Sequence, residues 1–160
     1  MDPAALLRML EERSATLATA ESLTGGRLAA RITAAPGASR SYRGGVIAYA
    51  TDLKGSLLDV PPDVLARHGA VSGPCARAMA AGTRDRLAVT YAVATTGVAG
   101  PDRQEGHPPG TVYVAVAGPG GVDVVALELA GDREAVQERT CTEALAAIGE
   151  VLRREEPLLG

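Results

Sequence analysis

The sequence predicts one α/β domain spanning residues 1–160, a three-layer α/β/α sandwich around a mixed sheet. Short apolar runs alternate with segments of helical periodicity along the chain, the signature of layered α/β architecture. The first three runs, at 16–20, 44–50 and 90–96, are separated by helical segments, as parallel strands require. The last two, at 111–117 and 122–129, are joined by Gly118-Pro119-Gly120-Gly121, a hairpin signal that makes the sheet mixed.

Each element has its own punctuation. Asp2 can cap a first helix with Pro3 at its first position, and Leu6, Leu7 and Leu10 share one face until Glu11-Glu12-Arg13. A strand at 16–20 leads through Glu21-Ser22-Leu23-Thr24-Gly25-Gly26 into a helix from Arg27 to about Thr33, closed by Pro36-Gly37. The run 44–50 is continuously apolar, which suits a strand covered on both faces. A short helix starts near Thr51 or Asp52, carries Lys54 in its first turns and breaks at Val60-Pro61-Pro62; another turn of helix at 63–68 ends at Gly69. Ser72 caps the next helix, with Pro74 just inside it. Asp132 caps the last, whose buried face is expected to hold Val136, Thr140, Ala144, Leu145, Ile148, Val151 and Leu152. The tail after Arg154 is expected to fray. With no Phe and no Trp, packing must rest on Ala, Val, Leu and Ile and on close approach of elements.

Composition narrows the function. A net charge of −3 gives no basic footprint for nucleic acid. No run of roughly 18 apolar residues suggests a membrane span, and Met1-Asp2-Pro3 lacks a signal-peptide pattern. The isolated Cys75 and Cys141 read as small buried fillers in a reducing cytoplasm. His68 and His107 lie far apart without carboxylates at ligand spacing, so no metal and no cofactor are expected. Phosphate-loop, dinucleotide-loop and G-x-S-x-G patterns are absent.

Of sixteen basic side chains only Lys54 is a lysine. Lysine can lose its proton when buried; arginine effectively cannot. Ser22, Tyr49 and Lys54 all fall at or just beyond the carboxyl ends of predicted strands, the edge where open α/β sheets place ligands. A neutral lysine could take the serine proton, with the tyrosine hydroxyl as relay, and turn amides near Gly25 and Gly26 could hold an oxyanion. From spacing alone a plainer reading stands beside this one: Ser22 or Thr24 caps a helix, Tyr49 packs and Lys54 is solvated.

The run Thr19-Ala20-Glu21-Ser22-Leu23-Thr24-Gly25-Gly26 resembles the A-E-S-x-T-G-G signature of the CinA carboxyl-terminal domain family. Gly44-Gly45-Val46-Ile47-Ala48-Tyr49 with Lys54 resembles its G-G-V-x-x-Y-x-x-x-x-K block. Gly69-Ala70-Val71-Ser72, Thr96-Gly97-Val98-Ala99-Gly100-Pro101, Gly110-Thr111-Val112-Tyr113-Val114-Ala115 and Gly131-Asp132-Arg133 follow in order. The likeness is to the stand-alone form, without the amino-terminal molybdopterin-binding-like domain. It implies a nicotinamide-nucleotide amidohydrolase that converts nicotinamide mononucleotide to nicotinate mononucleotide and ammonia. It further implies Ser22 as nucleophile, Tyr49 and Lys54 as activating partners, no metal, and a cytoplasmic homodimer. Glu21, Thr24, Gly25, Gly26, Thr96, Gly97 and Gly100 are expected around the substrate, with Arg27 or Arg43 meeting its phosphate. Leu23 replaces a common Cys, Thr51 a frequent Asn, His107-Pro108-Pro109-Gly110 a common K-P-x-G, and Gln137 a common Arg. The last two remove positive charge where phosphate contacts would be sought. The rival readings are a nucleotide-binding module without catalysis, and an amidase for another carboxamide.

Overall fold

The computed structural model describes residues 1–155. The expectation for the tail falls outside them from Glu156 onward. The elements are α1 (Pro3–Glu12), β1 (Leu17–Glu21), α2 (Arg27–Thr33), a 3-10 turn (Ala38–Arg40), β2 (Tyr42–Ile47), α3 (Thr51–Leu58), α4 (Pro62–His68), α5 (Gly73–Leu87), β3 (Tyr91–Gly97), β4 (Thr111–Gly118), β5 (Gly121–Glu128) and α6 (Arg133–Arg154). Caps fix three of the helix starts as the sequence suggests. Asp2 accepts from the Ala5 amide at 3.2 Å, Ser72 from Cys75 at 3.1 Å and Asp132 from Ala135 at 2.9 Å.

The sheet order is β2-β1-β3-β4-β5. β1 pairs parallel with both β2 and β3; β4 and β5 are antiparallel, turning through Pro119-Gly120 between the paired Gly118 and Gly121. α1, α2 and α6 cover one face and α5, backed by α3 and α4, the other. The two faces differ in side-chain size. Leu17, Val93, Val112, Val114 and Val116 point into the α1/α2/α6 layer, whereas Ala20, Ala94, Ala115 and Ala117 meet α5. Methyl-sized side chains let α5 lie close to the sheet, which suits a core without Phe or Trp.

β2 departs from expectation. It ends at Ile47 rather than residue 50, and it is an edge strand with every second residue exposed rather than a strand covered on both faces. Its only partner is β1, and the last backbone bond of that ladder runs from Ala48 N–H to Glu21 C=O at 2.9 Å. Tyr49 therefore sits in the β2–α3 connection, free to turn outward.

Candidate functional site: a serine held by a buried lysine

Ser22 leaves β1 at its carboxyl end, tied by its N–H to Thr95 C=O at 3.1 Å. Gly25 and Gly26 follow with φ of 57° and 102°, left-handed values that glycine adopts without strain and that turn the chain from strand into α2. The Glu21 carboxylate lies beneath this turn, 1 % exposed, and accepts from the amides of Gly26 (3.2 Å), Leu28 (2.8 Å) and Ala29 (3.1 Å). Glu21 thus caps α2 across five to eight residues. Its negative charge sits at the positive end of the helix, and it faces the fold rather than a substrate.

Lys54 is in the second turn of α3 and is 1 % exposed. Its Nζ lies 2.9 Å from Ser22 Oγ, 2.7 Å from Ala48 C=O and 3.3 Å from Tyr49 C=O. Two protonation states fit three such neighbours. An ammonium donates to all three; a neutral amine donates to the two carbonyls and accepts the Ser22 proton. Burial pushes the Lys54 amine below the usual lysine value, while the Cys75 thiol and Glu105 push the other way. Among the described residues no carboxylate forms an ion pair with Lys54. Burial thus shifts the balance toward the neutral amine, the form that can act as a base.

Ser22 and Lys54 open into a cavity of about 360 Å³ that Tyr49, Thr96, Gly97 and Gly100 also line. A second, shallower depression adjoins it across Leu23, Tyr49 and Arg133 and reaches Gly25 and Arg27. Other expected residues stand elsewhere. Tyr49 offers Lys54 its carbonyl, while its hydroxyl accepts from Arg133 at 3.0 Å; Lys54 meets Ser22 directly, without a tyrosine relay. Thr24 is buried and shares a 2.9 Å hydrogen bond with the Thr95 hydroxyl, so it caps nothing. The amides near the glycines are already committed, Gly25 to Ser22 C=O and Gly26 to Glu21, and cannot hold an oxyanion. Arg43 is at the wrong end of the sheet. Tyr42 pairs with Leu17 at the start of β1, which puts Arg43 at the amino ends of the strands, with Ser22 beyond the carboxyl ends.

Several residues that the sequence reading gave no role also reach the site. Arg133, first residue of α6, donates to Gly100 C=O at 2.6 Å as well as to Tyr49. Glu105 accepts from the amides of Ala70 (2.9 Å) and Val71 (3.0 Å), docking the 102–109 loop against the cavity wall, and Thr96 donates to Ala70 C=O at 2.7 Å. Gln137 donates to Leu23 C=O at 3.0 Å. The Asp132 cap marks where α6 begins, but nothing nearby in sequence says that this end meets the exits of β2 and β3. Cys75 and Cys141 are free and buried, their thiols pushed up to about 11 and about 12 by burial. No group of three metal-ligating side chains occurs among the described residues.

An open mixed α/β sheet carrying a serine–lysine pair at its carboxyl edge defines a class of layered α/β proteins with a nucleophile-like site. Residues 3–152 match the CinA C-terminal domain, and the chain belongs to that family. A CinA-like protein of Frankia casuarinae is 50 % identical over 147 residues, covering 92 % of this chain and 34 % of its own length. A CinA-like protein of Parasynechococcus marenigrum is 47 % identical over 144 residues, covering 88 % of this chain and 34 % of its own. The chain thus spans about a third of the length of these relatives. A competence-damaged protein (CinA) superfamily structure from Klebsiella pneumoniae superposes with TM-score 0.93 at 36 % identity, covering 96 % of each chain. The competence/damage inducible protein CihA from Agrobacterium tumefaciens gives 0.86 at 31 % identity, again over 96 % of each chain.

Proposed function

We propose that the protein is an amidohydrolase that deamidates nicotinamide mononucleotide by acyl transfer through Ser22. The observation that carries this reading is the 2.9 Å contact between Ser22 Oγ and a buried lysine without a carboxylate partner. Lys54 Nζ takes the hydroxyl proton as Ser22 Oγ bonds to the carboxamide carbon, and the carbonyl electron pair moves onto its oxygen. Collapse breaks the C–N bond; the proton on Lys54 passes to the leaving nitrogen, which departs as ammonia. Water then attacks the acyl-enzyme, giving its proton to Lys54. Breaking the C–Oγ bond returns that proton to Ser22 and releases nicotinate mononucleotide.

The cavity would take the pyridine carboxamide, and the adjoining depression the ribose phosphate. Arg133, on the wall shared by the two, and Arg27 are the cations placed for that phosphate. Arg27 lies 3.6 Å from Glu138 across two half-exposed side chains, a pairing weak enough to yield to a phosphate. The active form is proposed to be a homodimer.

The test is incubation with nicotinamide mononucleotide, following ammonia and nicotinate mononucleotide together. Stoichiometric release of both, lost by at least about 10³-fold in Ser22→Ala, is expected. Nucleotide binding without turnover would instead support a binding module. Full turnover by Ser22→Ala would exclude the covalent route.

A further inference from the structure

The loop at 102–109, between β3 and β4, is built as a small hairpin with bonds of its own. Gln104 and His107 exchange backbone hydrogen bonds at 3.1 and 2.8 Å, and Arg103 donates to Gly106 C=O at 3.2 Å. Between the paired residues, Glu105 and Gly106 have φ of 52° and 79°. Positive φ at both central positions makes a type I′ turn, which suits Asn-Gly; glutamate adopts it only with backbone strain. What the turn presents at its tip is the Glu105 carboxylate. Its oxygens accept from the amides of Ala70 and Val71 at 2.9 and 3.0 Å. A Cβ on Gly69, where φ is 76°, would fall on that carboxylate, so the seat is open only because the residue is glycine.

These two bonds are the hairpin's whole polar attachment. Among the described residues no other hydrogen bond or ion pair joins 102–107 to the rest of the chain. The base below is fixed: Gly110 N–H donates to Val98 C=O at 2.8 Å, and Pro109 lies so close to Gly100 that a Cβ there would collide with it. Asp102, Arg103 and Gln104 line the same cavity as Ser22 and Lys54, and so do Ala70 and Val71. Glu105 thus ties one wall of the cavity to another. Residues 102–106 are exposed, whereas Ala70 and Val71 are buried. An exposed carboxylate can exchange its two amides for water, so this link can open without disturbing the core.

We propose that the 102–109 hairpin is a flap over the Ser22–Lys54 cavity, and that Glu105 is the positioning residue that latches it shut on a bound substrate. The inference rests on the reading of that cavity as the substrate site, and not on which carboxamide it takes. The internal bonds let the hairpin move as one piece, and Pro101, Pro108 and Pro109 stiffen its arms. Opening admits the ligand; closing brings the Asp102–Gln104 wall against it, as loops that shut over substrates do. Closure adds contacts to the substrate without touching the reacting atoms, so the latch bears on KM and leaves kcat.

Amide hydrogen exchange reads the latch directly, because the Ala70 and Val71 N–H groups donate to Glu105. In free wild type both should exchange at least about 10²-fold faster than Val93 and Ala94 in β3, and trypsin should cut the folded protein after Arg103. Glu105→Ala should speed both processes about tenfold or more with Val93 and Ala94 unchanged; Glu105→Gln, which keeps one acceptor oxygen, should fall between. Nicotinamide mononucleotide bound to Ser22→Ala should slow both about tenfold or more. In turnover, Glu105→Ala should raise KM about tenfold with kcat within about threefold. Exchange at Ala70 and Val71 as slow as at Val93 and Ala94 would make the hairpin a fixed wall and overturn the proposal. So would a Glu105→Ala variant indistinguishable from wild type, one that lost kcat at unchanged KM, or bound nucleotide that slowed neither process. Nucleotide that does not bind, with exchange and cleavage still governed by Glu105, would refute the proposed substrate and keep the flap for another ligand.

Discussion

Lys54 is the residue on which the site turns. Burying an amine without a carboxylate lowers its proton affinity, and the lowered value has consequences of known sign. The base must be neutral, so kcat/KM should rise with pH through the Lys54 ionisation and level off below the usual lysine value of about 10.4. A rate–pH profile flat from pH 5 to 10 would refute the assignment. Lys54→Arg should lose at least about 10²-fold in kcat at every pH, because a guanidinium cannot accept the proton. Stability responds in the same direction. Between the folded and unfolded pKa values only the unfolded chain holds this proton, so stability attributable to Lys54 rises with pH across that window. The burial penalty is full below the folded value and gone above the unfolded one. Lys54 was legible in the sequence because it stands alone against an arginine background. Glu21 was not: a side-chain cap is sought within three residues of a helix start, and Glu21 reaches amides five to eight residues on.

At the scale of elements, the site depends on α3 being held where Lys54 can reach Ser22. Gly82 of α5 permits this. A Cβ there would stand 1.8 Å from the carbonyl oxygen of Leu58, the last residue of α3. Ala in place of Gly would normally favour a helix by about 1 kcal/mol, but here it would drive backbone apart. Gly82→Ala should lower stability by about 1–3 kcal/mol in denaturant titration and reduce kcat with it; a gain in stability would show that α3 does not need this approach. The opposite wall depends on α2. Glu21→Gln removes the carboxylate's charge and one of its acceptor oxygens, with three buried amides to satisfy, and should cost about 1–3 kcal/mol in the same measurement. Helix starts were readable to within a residue because caps are local chemistry, as Asp2, Ser72 and Asp132 show. The end of β2 was not, because a strand stops where its partner stops, and the partner lies far off in sequence.

For the molecule as a whole, the sequence pattern foretold parallel strands followed by a hairpin, while strand order rests on contacts that no local pattern encodes. The same limit explains the site. Ser22 and Lys54 each carry a chemical signal of their own, whereas Arg133, Glu105 and Gln137 matter only because the fold brings α6 and the 102–109 loop to the same edge. None of the helices among the described residues is long and apolar enough to cross a membrane. Ile47 is 51 % exposed on the β2 edge, and Leu53 and Leu57 are 36 % and 37 % exposed one turn apart on α3. Tyr49, between them in sequence, is 60 % exposed. An edge strand with large exposed apolar side chains invites pairing unless something covers it. The proposed homodimer would cover this side, next to the cavity through Tyr49. Light scattering should give twice the mass of the chain, and Ile47→Lys with Leu53→Asp should give one chain mass with unchanged circular dichroism. Turnover by that variant should fall if the partner shields Tyr49 and its bond from Arg133. A wild-type protein that remains monomeric at micromolar concentration would exclude this face as a subunit interface.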